Sequence, residues 1–179
     1  MRTRKIWLFL SLWILGFSLK AQSLGKAPLY NYTPRVYKAS SANYDAVQDA
    51  RGVMYFGNFR GVLEFDGTHW ELIALPNRST VGSIAKDSLG KIYVGGVGEF
   101  GYLAPDDQGK IQLVSLFDQL ALPPAAQSSP VRVIGTETGA IFHVRNYPAI
   151  FVWNGSQLLS FNFNPDLVKE AYKLFYLDR

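Results

Sequence analysis

Two aspartates with the same local sequence pattern are candidates for acid–base chemistry. Asp49 and Asp87 lie 38 residues apart, and each is followed three residues later by a glycine, Gly52 or Gly90. Paired carboxylates can serve as general acid and base. An identical local setting instead favours a turn, in which the aspartate accepts backbone N–H bonds and the glycine adopts positive φ. We interpret both aspartates as turn residues.

The two histidines do not indicate a metal site. His69 and His143 occupy different places in their local patterns, and neither has a second histidine at the spacing that zinc or copper ligands require. The chain has no cysteine, which excludes a thiolate nucleophile. We expect no metal, and we predict packing or hydrogen-bonding roles for both histidines.

A glycine-rich stretch resembles half of a dinucleotide fingerprint. Residues 96–101 match the pattern G-x-G-x-x-G after an apolar strand. No helix is predicted to follow, because Tyr102 to Ala104 reads as a strand, so a pyrophosphate would meet no helix N-terminus. We predict loop glycines here and no cofactor.

The N-terminus predicts export. Basic residues at positions 2, 4 and 5 precede an apolar run from Ile6 to Leu19, and Ala21 offers a small residue for cleavage. This pattern is typical of a signal peptide over residues 1–21, and the run is shorter than the roughly twenty residues of a membrane span. We expect the chain to be periplasmic or secreted, with residues 22–43 as a lead-in.

Removal of the signal peptide changes the charge balance. Residues 1–21 contain four of the 18 basic residues and none of the 14 acidic ones, so the remaining chain is neutral. Phosphate neutralisation requires a basic surface. We therefore expect no nucleic-acid partner.

An internal repeat organises the rest of the chain. Residues 47–57 align with residues 85–95 without a gap, and residues 136–143 form a third, weaker copy. Each copy contains a first strand, the Asp49-type turn, a second apolar strand, a loop, and an outer hairpin. Asp66-Gly67 and Asn154-Gly155 mark outer hairpins, because such pairs supply the positive φ of tight turns. The sequence predicts an all-β protein of about three four-stranded antiparallel β-propeller blades, an incomplete propeller. The predicted units are 44–80, 81–117, and 118–161 with a linker, and the next unit starts in 162–179.

The loops between second and third strands share one end of each blade with the linkers between blades. These loops differ between copies, whereas the opposite turns are alike, and divergent loops are natural carriers of specificity. Arginine, amide and aromatic groups together suit a small molecule or an oligosaccharide. Ordinary solvated loops are the alternative. The predicted ligand-binding residues are Asn58, Arg60, Arg78, Glu99, Phe100, Arg145, Asn146 and Tyr147.

These motifs resemble the two-component regulator propeller family. The resemblance rests on residues 48–70, which run from Gln48-Asp49 through Asp66-Gly67 to Trp70, and on residues 87–103. The third copy departs from the pattern, with Thr136 for the aspartate and Val144 where a strand-ending glycine is expected. The family implies a periplasmic ligand-sensing propeller that is followed downstream by a membrane helix and a kinase or DNA-binding output.

Under this resemblance, the chain is expected to be an N-terminal portion of a sensor. It would bind its ligand without catalysis, attach to the membrane only through downstream parts, and leave open a homodimer of the full-length sensor. A secreted propeller enzyme acting on polysaccharide and a structural interaction propeller are the alternatives. A short helix is predicted over residues 167–175.

Overall fold

The computed structural model describes residues 29–164 of the 179-residue chain. The chain divides into a first unit, Met1–Asn31, and a second unit, Tyr32–Arg179. Of the first unit, residues 29–31 are described, and they lie in no helix or strand. The predicted signal peptide and the predicted helix at residues 167–175 lie outside the described residues.

Three four-stranded antiparallel sheets make up the described part of the second unit. In each sheet the strands lie side by side in chain order, so every connection within a sheet is a hairpin. This architecture agrees with the all-β, repeat-like prediction. The strands are β1 Asn43–Gln48, β2 Met54–Asn58, β3 Gly61–Phe65 and β4 Trp70–Ile73; β5 Val81–Lys86, β6 Ile92–Gly96, β7 Phe100–Pro105 and β8 Ile111–Ser115; and β9 Val131–Gly135, β10 Ala140–Val144, β11 Ala149–Trp153 and β12 Leu158–Asn162.

Short helical segments lie outside the sheets. They are α1, Pro34–Tyr37, before the first sheet, and a 3₁₀ turn, Phe117–Gln119, followed by α2, Pro124–Gln127, between the second and third sheets. Among the described residues, no helix combines the length and the apolar character that crossing a membrane requires.

Aspartate side chains close the turns between first and second strands. Asp49 Oδ1 accepts hydrogen bonds from the backbone N–H groups of Arg51 and Val53, at 2.9 and 3.0 Å. Asp87 Oδ1 accepts two backbone bonds in the same way, and Gly52 and Gly90 have φ of 89° and 87°. These are the bonds that an Asx-type turn requires.

The outer hairpins use the same local chemistry. Asp66 Oδ1 accepts two backbone N–H bonds, as do Asp106 Oδ1 and Asn154 Oδ1. Gly67 and Gly155 have φ of 98° and 97°, a region that favours glycine. Each side chain replaces the water that an exposed turn N–H would otherwise bind, so local sequence alone fixes where the strands reverse.

Neighbouring sheets meet through their first strands. Strand β5 lies against β1, and β9 lies against β5. Asp45 Oδ2 accepts the backbone N–H of Ile84 at 2.9 Å, and Ser83 Oγ accepts the backbone N–H of Val133 at 3.2 Å. The same repeat position therefore ties each of the first two sheets to the next.

Glycines opposite these polar residues allow the close approach. Gly57 pairs with Asp45, and Gly95 pairs with Ser83. A Cβ at Gly57 would lie 2.9 Å from the carbonyl oxygen of Val81, and one at Gly95 would press still closer on a carbonyl of β9. A side chain at either glycine would thus push the next sheet away.

The core is divided between the two sheet interfaces. Tyr55 and Val62 of the first sheet pack with Ile84 and Val94 of the second. Between the second and third sheets, the rings of Phe100 and Phe142 stack with their centroids 4.4 Å apart. Offset stacking of this kind adds to the burial of apolar surface.

The two outer faces of this array differ. On the first sheet, Tyr37 of α1 is buried and its ring lies 5.3 Å from that of Trp70, with Tyr32 at a similar distance. On the third sheet, Ile134 is 64% exposed and Phe161 is 50% exposed. An apolar face is thus covered at one end and open to solvent at the other.

Candidate functional site

The loops at one end of the sheets form a continuous surface, which we call the loop face. It comprises the β2–β3, β6–β7 and β10–β11 loops and the linkers between sheets. Backbone and hydroxyl groups join each loop to the neighbouring linker, so these segments, far apart in sequence, are held side by side. The bonds run from Thr80 Oγ1 to Phe59 O, from Val97 N to Thr80 O, from Gly98 N to Ser129 O, and from Arg145 N to Pro130 O.

Three of the eight predicted ligand-binding residues are enclosed. Asn58 and Phe100 have no exposed surface, and Glu99 is 3% exposed. Asn58 is a strand residue whose amide donates to Ser40 O at 2.6 Å and to Asn43 Oδ1 at 2.7 Å. Its contacts fix the lead-in to the first sheet, so it presents no surface to a ligand.

Glu99 holds its own loop in place. Its Oε1 accepts the backbone N–H of Phe100 at 2.9 Å and the hydroxyl of Ser115 at 2.8 Å. Burial raises the pKa of the Glu99 carboxyl, and the nearby Asp118 raises it further, whereas the hydrogen bonds oppose this. Strand β7 begins at Phe100, two residues earlier than predicted, so this ring turns into the core instead of the loop face.

Arg60 and Arg78 lie on the loop face and are exposed. Arg60 Nη1 donates to the carbonyl of Lys38 at 3.1 Å, which couples it to the lead-in. Arg78 adopts a left-handed conformation with φ of 53° in the β4–β5 linker. Neither residue lines either of the two cavities that Arg145 lines.

A groove of about 380 Å³ opens where the first strands reach the loop face. Tyr44, which is 54% exposed, and Gly82 are the extra residues of β-bulges in β1 and β5. A bulge re-aims the side chain that it carries. Of the predicted residues, only Arg145 lines this groove. Its lining residues are Tyr44, Gly82, Pro130, Val131, Arg132, His143 and Arg145.

The groove is basic. Within residues 29–164, the guanidinium groups of Arg132 and Arg145 form no ion pair and no side-chain hydrogen bond, and no carboxylate lines the groove. His143 is half-buried, and burial lowers its pKa, which favours the neutral form of the ring. Two unpaired guanidinium groups, an imidazole and an aromatic ring therefore line one space.

Arg145 also lines a second hollow, of about 440 Å³. Asn146 and Tyr147 line it together with the α2 segment, and the ring of Tyr147 stacks on Phe151 with centroids 6.0 Å apart. The structure therefore brings Arg145, Asn146 and Tyr147 together, as expected for one loop. Arg145 is shared between the groove and the hollow.

The register of the third sheet corrects the sequence alignment by one residue. Asp49 N bonds to Val53 O in the first sheet, whereas Thr136 N bonds to Gly139 O, so the third turn is one residue shorter. Counted from these bonds, the position of Gly57 and Gly95 belongs to His143 and not to Val144. This correction places His143 opposite Arg132, in the pairing that joins β9 and β10.

Sequence reasoning missed Tyr44, Arg132 and His143 as groove residues. The shorter third turn hid the equivalence of His143 to the two strand glycines, and the bulges that project Tyr44 leave no local sequence signal. In the described part of the chain, no group of three or more His, Asp or Glu residues could hold a metal ion.

No protein-family model matches the chain, and no curated protein matches it.

Proposed function

We propose that this chain is the ligand-binding part of a non-catalytic extracytoplasmic sensor of the two-component regulator propeller type. The three sheets act as consecutive blades of a propeller, and the signal peptide exports them. The ligand is a small molecule or an oligosaccharide that enters the groove on the loop face.

The groove carries this proposal. Its volume of about 380 Å³ falls within the range of roughly 300–1,000 Å³ that is typical of small-molecule sites. Tyr44, whose side chain is exposed, lines the groove together with Arg132 and Arg145. Sugars present both apolar ring faces and hydroxyl edges, which match an aromatic ring and a set of hydrogen-bond donors.

The lining favours binding over hydrolysis. A glycosidase places two carboxyl groups across the scissile bond, whereas the charged residues that line this groove are arginines. Glu99, the acidic residue predicted for this face, is enclosed and bonded to Ser115. A polysaccharide-cleaving enzyme therefore remains the second candidate.

Isothermal titration of the purified chain with neutral and acidic oligosaccharides tests the proposal, with reducing ends assayed in the same samples. We expect binding without turnover, and we expect Tyr44→Ala to weaken binding about tenfold through loss of ring stacking. Phe59→Ala is the matched control, since Phe59 is an exposed aromatic residue of the loop face that does not line the groove.

Release of reducing ends would support the enzyme instead. An absence of binding to every oligosaccharide, or equal losses in Tyr44→Ala and Phe59→Ala, would refute the assignment of the groove.

A further inference from the structure

One cross-strand position recurs in the three sheets, where the first and second strands pair near the loop face. In the first two sheets it holds a hydrogen-bond acceptor opposite a glycine, and in the third it holds two large basic side chains. We call these the loop-end pairs. They are Asp45 with Gly57, Ser83 with Gly95, and Arg132 with His143.

The first two loop-end pairs dock the next sheet. The acceptor takes a backbone N–H of the neighbouring first strand, Ile84 or Val133, and the glycine leaves room for a carbonyl of that strand. The acceptor is required because a buried N–H without a partner destabilises the folded state, and the space is required because a Cβ there would press on the carbonyl.

The third loop-end pair lacks both properties. Arginine has five N–H donors and no acceptor, so Arg132 has nothing to offer a strand N–H. The ring of His143 stands where the other sheets have only a hydrogen atom. Both side chains line the groove instead, together with the unpaired Arg145. At this position the third sheet therefore has a pair of arginine and histidine where the first two sheets have a pair that docks the next sheet.

We propose that Arg132, His143 and Arg145 form a site for the carboxylate or sulfate group of an acidic oligosaccharide. This inference rests on the proposed function, because it names the ligand class of the same groove. A planar guanidinium matches a carboxylate or sulfate with two parallel N–H···O bonds. Arg132 and Arg145 line the same groove, and none of its lining residues carries a carboxylate, so the charge of an acidic ligand would be attracted to both arginines.

His143 and Tyr44 complete the site. The neutral imidazole has one N–H donor and one acceptor, which suit a sugar hydroxyl beside the acidic group. Tyr44 lines the same groove from the first sheet, and its ring suits the apolar face of the same sugar. The charge of the arginines favours acidic ligands, and the ring of Tyr44 packs against the sugar ring.

The test compares tetragalacturonate and a sulfated tetrasaccharide with uncharged maltotetraose by isothermal titration of the full chain. We expect at least one acidic probe to bind at least tenfold more tightly than maltotetraose at 0.1 M salt. The difference should shrink at 1 M salt, where the Debye length falls from about 10 Å to about 3 Å. Which acidic probe binds more tightly separates a carboxylate site from a sulfate site.

Three variants locate the effect. Arg132→Gln and Arg145→Gln should each weaken the acidic probe about tenfold, the loss expected for one charge-assisted bond, and leave maltotetraose within twofold. The double variant Arg132→Ser with His143→Gly installs the pair of the second sheet, so it should fold and lose the preference for acid. Lys110→Gln is the control, because Lys110 is an exposed residue of the β7–β8 turn and lines neither the groove nor the hollow.

The outcomes separate this inference from the proposed function. Equal affinity for acidic and neutral probes, with Tyr44→Ala weakening both, would overturn the acidic ligand and keep the groove. Acidic binding that falls equally in Lys110→Gln and Arg132→Gln would mean nonspecific attraction and would also overturn the inference. No binding of any probe would overturn both. Circular dichroism of each variant verifies that it is folded.

Discussion

The close contact between sheets can be tested by adding a single methyl group at Gly95. The Cβ of Gly95→Ala would overlap the backbone carbonyl oxygen of Val131 in the next sheet. A flexible side chain could turn aside, but a strand carbonyl cannot, so β9 must move. Movement of β9 also stretches the bond between Ser83 Oγ and Val133 N, which is already 3.2 Å long.

The expected cost can be worked out from the geometry at two matched positions. At Gly57 the added Cβ would lie 2.9 Å from the carbonyl oxygen of Val81, about 0.5 Å inside ordinary contact, which begins at 3.4 Å. Overpacking of a filled interior costs about 1–3 kcal/mol. We place Gly57→Ala near the lower end, at about 1 kcal/mol, and Gly95→Ala near the upper end, at about 3 kcal/mol.

Gly82→Ala is the control, because nothing lies within 4 Å of a Cβ at Gly82 and its φ is not positive. Loss of freedom in the unfolded chain stabilises such a change by about 0.4–1 kcal/mol. Urea unfolding followed by tryptophan fluorescence gives the free energy of each variant. At roughly 2–4 °C per kcal/mol for a chain of this size, Gly95→Ala should also melt about 6–12 °C below the parent protein.

The order Gly95→Ala, Gly57→Ala, Gly82→Ala, from least to most stable, is the critical result. If Gly95→Ala and Gly82→Ala unfold at the same urea concentration with the same dependence on urea, the sheets do not approach as described. The conclusion that Asp45 with Gly57 and Ser83 with Gly95 dock the next sheet would then be wrong.

Three further predictions concern other parts of the chain. Asp87→Ala removes two turn bonds and the acceptor of the Tyr93 hydroxyl, so it should lower the unfolding free energy by about 2 kcal/mol in urea; a change below 0.5 kcal/mol would contradict the turn role. Burial raises the pKa of Glu99, so the folded state keeps a proton that the unfolded state releases, and stability should fall as pH rises from about 4.5 through that raised pKa. Urea titrations of Glu99→Gln should lack this decline, and an unchanged pH profile would refute its source. Ile134→Glu with Phe161→Glu should reduce self-association in sedimentation velocity, because an open apolar face drives association; identical sedimentation would show that this face is not the contact.

The strands and their order could be predicted because the signals are local. Asp49 and Asp87 close their turns with their own neighbours, and Asn154 does the same at an outer hairpin. Such bonds depend on residues two to four positions away, which a sequence displays directly. The apolar runs between these turns then have one hairpin partner each.

The enclosed residues could not be predicted because their environment comes from other sheets. Phe100 follows a glycine-rich loop in the sequence, yet its ring stacks on Phe142, 42 residues later. Asn58 reads as a loop amide, but its partners Ser40 and Asn43 belong to the lead-in and the first strand. Contacts between sheets leave no mark in the local pattern, so the divergence of a loop alone does not separate surface residues from core residues.

In the third sheet, the strand register determines which residues occupy the positions where the repeat pattern is broken. Aligned on Gly139, the sequence offers Val144 as an irregular strand end; aligned on the bond from Thr136 N to Gly139 O, it offers His143 opposite Arg132. In the second alignment, Arg132 and His143 together occupy the position that holds a docking pair in the first two sheets. Under the proposed function, Arg132 and His143 both line the groove and each carries an N–H donor, so a binding role accounts for this pair. The loop-end pair, rather than the loops themselves, is therefore where specificity is expected to reside.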